Sequence, residues 1–424
     1  MAPTTTALID ALDPRVTAFQ AKAFTLAEDL EWLDRLREQK ATVAVTLHGA
    51  RILEVLAREA LKRAGLAVTT GKGISSPAIH DILKLLLRYD LLSRPTYRLV
   101  DRLRDLGNNA RHVLRKVTVA DADLGYAIVL RGLHWFFCEF PQGPKLKCLV
   151  VHMQSLDSLL PFNALRQLEL LESADLDPET FLAKLELDRS HCPLLVSPVL
   201  AAALIEKLLD GNRVGQAEEV LNASLRRYPE EIRLRQLKGL LLSRTGRLEE
   251  ACNCLDAIES TESAADEETQ GILAGTYKRR ADQDLERRDE WLGACHEWYE
   301  SGWQLSQESN TYLGINTAAT ALWLGISGKT APIAAKIRNL LESRQRSLAR
   351  SSGEMPRRLN CWDQLTLAEA YLLLKQWDKA RQGYHEAVER FPKEAMALKV
   401  AREQANRNLA AMERTDLIGT VFPE

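Results

Sequence analysis

The chain has 424 residues, 46% of them hydrophobic and 27% charged, with a formal net charge of −2. Such a length exceeds what one core usually supports, so two or three domains are expected, and a charge this close to balance excludes global attraction to nucleic acid or membranes. Seven cysteines stand without zinc-finger spacing and no export signal is read, so the thiols are expected to be reduced in a cytoplasmic protein.

No apolar run approaches the ~20 residues that span a bilayer. Helical periodicity runs through almost every long segment and strand-length β-branched runs are scarce, so the fold class is all-α. The first predicted helices are Pro14 to Gln39 and Ala41 to Ala64. The second is apolar over much of its circumference (Val43, Leu47, Ile52, Leu53, Leu56, Leu61), as a central bundle helix would be. Arg51 and Glu54, three residues apart on it, suggest a structural ion pair. Gly65 and the turn from Gly71 to Gly73 end it. Helices follow at Pro77 to Tyr89 and Pro95 to Lys116, each with proline in the first turn, where a missing amide proton costs least. A fifth, Asp121 to Phe140, closes on Trp135, Phe136, Phe137 and Phe140. Pro141-Gln142-Gly143-Pro144 is the strongest punctuation in the chain and sets the first domain at 1–144.

The fourth of these helices carries the main candidate site. Leu99, Leu103, Leu106, Ala110 and Val113 share one face; Arg104, Asn108, Arg111 and Arg115 share the other, with His112 beside them. From Arg94 to Lys116 seven cations face two carboxylates, Asp101 and Asp105. That surface is either a place for phosphate or a solvated face whose arginines pair with neighbouring acids. Gly107, costly inside a helix by about 1 kcal/mol, points to close packing against another helix.

Residues 145–196, interrupted by Pro161, Pro178 and Pro193, read as a helical connector. From 197 to 412 helical hairpins repeat. Ala217 and Ala251 lie 34 residues apart, the period of a tetratricopeptide unit. Leu204, Leu208, Leu221 and Pro229 surround the first; Gly239, Leu242, Leu255 and Ile258 surround the second. A third unit, Leu367, Ala368, Tyr371, Ala380, Tyr384, Ala387 and Pro392, has every signature place. Small residues belong where two helices of a repeat touch, and large ones fill the gap to the next repeat. A charged loop is expected from Thr261 to Glu268. The wide spacing of Tyr277 and Ala294 suggests an insertion at Asp282 to Glu290, and the arginine-rich stretch from Ser343 to Arg358 an exposed loop. Trp298, Trp303, Trp323, Trp362 and Trp377 are expected to fill gaps between helices. Residues 413–424 form a tail.

Neither a phosphate-binding glycine loop, a zinc cluster nor a serine-type triad occurs, so no cofactor, metal or catalytic residue is expected and the chain reads as a non-enzyme.

The order Asn310-Thr311-Tyr312-Leu313-Gly314-Ile315-Asn316-Thr317-Ala318-Ala319, preceded by Tyr277-Lys278 and Trp298-Tyr299 and followed by Trp362, Thr366, Ala368, Glu369 and Ala370, resembles the tetratricopeptide region of apoptosis-signal-regulating kinases called the TRAF-binding domain. The resemblance covers roughly Gly271 to Arg402. It implies a protein-binding scaffold or adaptor of the kind found in bacterial stress, cell-death or antiviral-defence signalling, its partner plausibly an effector encoded nearby. Lys278, Tyr312 and Asn316 are the partner-binding candidates it implies, the other reading being hydrogen bonds between repeats.

The first domain resembles a bacterial HEPN-like helical bundle over about Ala41 to Pro144. The residues that carry this are Ala50-Arg51, Leu53-Glu54, the run Leu103-Arg104-Asp105-Leu106-Gly107-Asn108-Asn109-Ala110-Arg111-His112, Thr118, Ala120 to Ala122, and Trp135-Phe136. Active relatives use an arginine followed by asparagine about one helical turn before a histidine, and dimerise so that two such pairs face RNA. Here Asn108 and His112 hold two of these places and Gly107 the arginine's. The resemblance therefore implies a degenerate site and a possible homodimer, with RNA or a nucleotide as ligand. The alternative is a metal-independent endoribonuclease using His112 and Asn108 with Arg104 or Arg111.

Overall fold

A computed structural model describes residue 16 and residues 18–21, 24–66, 79–111, 116–146, 198–259, 266–351, 358–392 and 394–422. The architecture is all-α apart from one pair of two-residue strands. The chain divides into two compact units, with the division between Leu237 and Lys238.

In the first unit β1 (Gln20–Ala21) pairs antiparallel with β2 (Phe24–Thr25). The helix expected over Pro14 to Gln39 is therefore interrupted by this pair, and its C-terminal part is α1 (Leu26–Glu38). The turn lets the rings of Phe19 and Phe24 meet edge-on, and Phe19 also packs on Phe136 and Phe137. Burying two aromatic rings outweighs the backbone bonds that a longer helix would add.

α2 (Thr42–Arg63) is the central helix, packed by α1, α3 (Ile79–Arg88), α4 (Arg94–Arg111) and α5 (Val119–His134). Leu47 aside, its expected apolar stripe is buried at Ile52, Leu53, Leu56 and Leu61, whereas Val43 is exposed. A β-carbon on Gly107 would stand 3.0 Å from that of Ala50, and one on Gly132 would strike Leu53 at 2.2 Å. Two glycines thus set how closely α4 and α5 approach α2. Thr118 and Asp121 cap α5 reciprocally. Its last turn widens into a π-helix, Trp135–Glu139, and the indole N–H of Trp135 donates to the Leu91 carbonyl.

The first unit continues through α6 (Pro198–Asp210), α7 (Val214–Arg227) and the start of α8 (Ile232–Arg244). α6 and α7 pack as a hairpin with Ala217 fully buried.

The second unit carries α9 (Leu248–Glu259), α10 (Glu267–Gln283), α11 (Arg288–Leu305), α12 (Thr311–Trp323), α13 (Thr330–Ser351), α14 (Cys361–Leu373), α15 (Trp377–Arg390) and α16 (Ala395–Ala411). From α9 to α15 each helix packs on the next, the stacking that hairpin repeats require. The small residues sit where the period placed them: a β-carbon on Gly239 would overlap Leu255, and one on Gly383 would lie 2.9 Å from that of Ala368.

Three expectations are corrected. Asp282 to Glu290 is no inserted loop: α10 and α11 are 17 and 18 residues long, and only Asp284 to Arg287 join them. Asp284 holds the turn by accepting from the Arg287 backbone and the Trp291 indole, with the guanidiniums of Arg280 and Arg287 over that ring. The stretch expected as an exposed loop from Ser343 is helical through Ser351, because Arg344 turns inward to a buried pair with Asp363 at 2.7 Å and Leu348 is buried. Residues 352–357 lie outside the described set. Among the tryptophans, Trp303 is buried as expected, but Trp362 is 52% exposed.

Among the described residues no helix is long and apolar enough to cross a membrane. The connector expected at 145–196 lies almost wholly outside the described residues.

Candidate functional sites

The bundle candidates converge on a pocket of about 420 Å³. Its apolar floor is Leu47, Leu53, Ile79 and Val100; Arg51, Glu54, Arg104, Asn108 and Arg111 bring polar groups to it. The alternation expected on α4 holds, with Leu99, Leu103, Leu106 and Ala110 buried and Asn108 and Arg111 exposed. His112 and Arg115 lie outside the described residues.

Most of the positive charge along α4 is already matched. Arg104 bonds Asp101 at 2.7 Å and Asp105 at 2.5 Å. Burial opposes its charge, but those two carboxylates overcome this and raise its pKa. Asp101 also faces His80 at 3.3 Å; burial would raise its pKa, yet His80 and Arg104 together hold it below the usual carboxylate range. Arg98 bonds Glu206 at 2.5 Å, with Arg233 on the same carboxylate, and Arg102 bonds Glu231 at 2.8 Å. Acids from other segments thus meet two of these cations, Arg98 and Arg102, and the pocket's most exposed cations are Arg51 and Arg111. Arg51 and Glu54 do not pair with each other: Arg51 faces Asp29 at 3.7 Å, and Glu54 accepts from Arg58 at 2.7 Å. On a helix an acid four residues before its base, as Glu54 stands to Arg58, is the favoured order.

The second candidate lies on the first helices of successive hairpins, α10, α12 and α14. Lys278, Tyr312 and Asn316 come together there, joined by residues of α16. Asn316 is buried; its amide donates to the Tyr312 carbonyl at 2.9 Å and its oxygen accepts from Gln404 at 3.1 Å. Lys278 donates to the Gln404 side-chain oxygen and sits 5.0 Å from the Trp323 ring centre. Burial, with the Arg407 charge adding to it, pulls the lysine below its ordinary pKa. Glu369 accepts on one oxygen from Gln404 at 3.0 Å and Asn408 at 2.8 Å, while Asn408 accepts from the Trp323 indole at 2.8 Å. Burial raises the pKa of Glu369 against those two donors. Tyr312 leaves half its surface to solvent, its ring edge-on to buried Tyr299.

Sequence reasoning found three members of this cluster and missed Glu369, Gln404, Asn408 and Trp323 as site residues. Glu369 carried a signal, a carboxylate inside the otherwise apolar run Leu367-Ala368-Glu369-Ala370. Gln404 and Asn408 carried a weaker one, two carboxamides one helical turn apart. The groups brought together are amides, a carboxylate and a cation, the kinds that bond peptide groups or polar side chains. The cysteine nearest it, Cys295, is buried, which pushes its thiol up to about 12 and removes it as a nucleophile. Among the described residues no group of three or more His, Cys, Asp or Glu could hold a metal ion.

Residues 203–322 match the family model described as Tetratricopeptide Repeats-Sensor, and residues 364–394 match a Tetratricopeptide repeat model. No curated protein matches the chain. Repeats of this type are protein-interaction modules in general, and the two matches cover Lys278, Tyr312, Asn316 and Glu369 of the polar cluster, with Trp323, Gln404 and Asn408 beyond their ends.

Proposed function

We propose that the chain is a non-catalytic scaffold or adaptor that binds a partner protein through the inner helices of its repeats, at Lys278, Tyr312 and Asn316. The observation that carries this reading is the half-exposed Tyr312, whose ring packs on Tyr299 and whose backbone carbonyl accepts from Asn316 of the polar network, inside a segment matching a tetratricopeptide model. A tyrosine with one face wet and its base rigidly held is the side chain that anchors protein contacts at low entropic cost. The resemblance to the TRAF-binding region supports a setting in bacterial stress, cell-death or antiviral-defence signalling, with an effector as partner. The protein acts in the cytoplasm. The domain at 1–144 is a HEPN-like bundle that holds two copies together.

The endoribonuclease alternative is not favoured. Gly107 stands where the resemblance would require arginine, and its hydrogen is what lets α4 touch Ala50. Arg104 is committed to Asp101 and Asp105, so the guanidinium nearest in sequence is not free to hold a scissile phosphate. The pairing of Arg98, Arg102 and Arg104 with acids weighs against RNA or nucleotide binding on the face expected at Arg104, Asn108, Arg111 and Arg115.

Affinity capture with the full chain tests the proposal. A stoichiometric partner should be retained by the parent protein and by Arg111→Glu, and fall at least tenfold with Tyr312→Ala. Recovery that is indifferent to Tyr312, or loss with Arg111→Glu alone, would move the function to the bundle.

A further inference from the structure

In a hairpin stack each repeat touches only its neighbours. α16 breaks this rule. Four residues, Phe391 to Glu394, separate it from α15, yet its side chains bond three inner helices. Gln404 reaches Lys278 on α10, Asn316 on α12 and Glu369 on α14; Asn408 reaches Trp323 and Glu369; Arg407 pairs with Asp282 on α10 at 2.9 Å. A helix continuing the stack could touch only the last hairpin. α16 instead lies across the inner face, where a bound segment would lie.

The contact is also polar for a helix so placed. Its buried residues are Ala397, Leu398, Gln404, Ala405, Asn408 and Leu409. The apolar ones join the core of the last repeat with Leu365, Ala368 and Tyr384, so its hold on α10 and α12 is by hydrogen bonds, one ion pair and the Arg407 guanidinium 5.0 Å from the Trp323 ring centre. Such bonds exchange for bonds to water with little net loss. Its outer face leaves Met396 and Val400 exposed.

We infer that the inner face is a receptor for an α-helix presenting two carboxamides one turn apart beside small apolar residues, and that α16 is its occupant in cis, displaced when a partner helix of that chemistry binds. This deepens the reading of Lys278 and Asn316 as partner-binding residues and rests on it. Gln404 and Asn408 then mark what the partner must offer: an amide that both donates and accepts between Lys278, Asn316 and Glu369, and a second that bridges Trp323 and Glu369.

The probe is a fluorescent synthetic peptide of residues 394–413, used with the full chain so that no unidentified partner is needed. Gln404→Ala with Asn408→Ala frees the receptor, and Arg407→Glu, which opposes Asp282 and removes the cation from the Trp323 ring at a half-buried position, does so by charge repulsion. In the parent protein, amide hydrogen exchange of 395–411 should run at least tenfold faster than that of 361–373, and either variant should speed the former alone. The peptide should bind both variants at least tenfold more tightly than the parent. Exchange of α16 only together with α14 would overturn the inference, as would failure of the peptide to bind a variant with α16 released. A dimer that exchanges α16 between copies would replace the cis occupant by a second chain and overturn it too. Absence of any captured partner, with the peptide results as expected, would count against the proposed function and leave this receptor standing.

Discussion

Buried polar groups are satisfied in opposite ways along α4 of the first unit and on the inner face of the second, although the second unit has a buried ion pair of its own, Arg344 with Asp363, away from that face. In the first, charge meets charge: Arg98 and Arg233 grip Glu206, and Arg102 grips Glu231, with both members of each contact largely withdrawn from water. In the second, Lys278 and Glu369 do not pair with each other; Gln404 and Asn408 stand between them and the repeats. The difference teaches what each contact is suited for. An ion pair out of water cannot lose one member without stranding the other, whereas an amide can be replaced by another amide or by water. The first arrangement fixes helices, and the second holds one that can be exchanged.

The largest expected effect comes from stranding a charge. Arg102→Met leaves Glu231 without its partner and should cost roughly 3–5 kcal/mol, read by equilibrium urea unfolding of the first unit; a loss below about 1 kcal/mol would mean the pair contributes no more than a surface contact.

Acid should expose the same principle. Burial alone would raise Glu206, but Arg233 and Arg98 hold it down, from the ordinary 4.5 to about 2. Because the folded-state value is the lower one, the stabilisation is complete above 4.5 and is lost as pH falls toward 2. At one pKa unit per 1.36 kcal/mol it amounts to roughly 3 kcal/mol. Glu206→Gln should flatten that acid limb in a pH series of urea unfolding curves, and an unchanged slope would contradict the pairing.

The smallest effect is expected at Glu369. Both of its donors use one oxygen, so Glu369→Gln keeps an acceptor there and removes a buried charge; stability should stay within about 1 kcal/mol of the parent. The folded-state pKa of Glu369 is raised, so its contribution is full at low pH and declines as pH rises through that value. Glu369→Gln should abolish this decline. A variant that loses stability at every pH would show that the carboxylate itself is needed, and would narrow the contrast between the units.

Much of this was legible in the chain. The buried stripe of α4, the centrality of α2, and the small residues Ala217, Gly239, Ala368 and Ala387 follow from helical period alone, a local property. The partners of Arg98 and Arg102 were not legible, since Glu206 and Glu231 are more than a hundred residues away and look like any surface acid. The Ser343 to Ser351 stretch was misread for a related reason: a run of arginines resembles a solvated loop until Asp363 is seen to draw Arg344 inward. α16 was legible as a helix and not as an occupant, because hydrogen bonds to three earlier helices leave no periodic mark. Gly107 shows the reverse case, a helix glycine whose packing role could be inferred before its neighbour was known.

The π-turn at Trp135–Glu139 bears on how the chain can vary. Phe136, Phe137 and Phe140 are all fully hidden, although α-helical geometry turns adjacent residues about 100° apart. The i→i+5 turn changes the angles at which these rings leave the backbone from those an α-helix would impose. Deleting a single residue here would tidy the backbone and throw an aromatic ring into water, so this segment should tolerate substitution among large apolar residues far better than any change in its length.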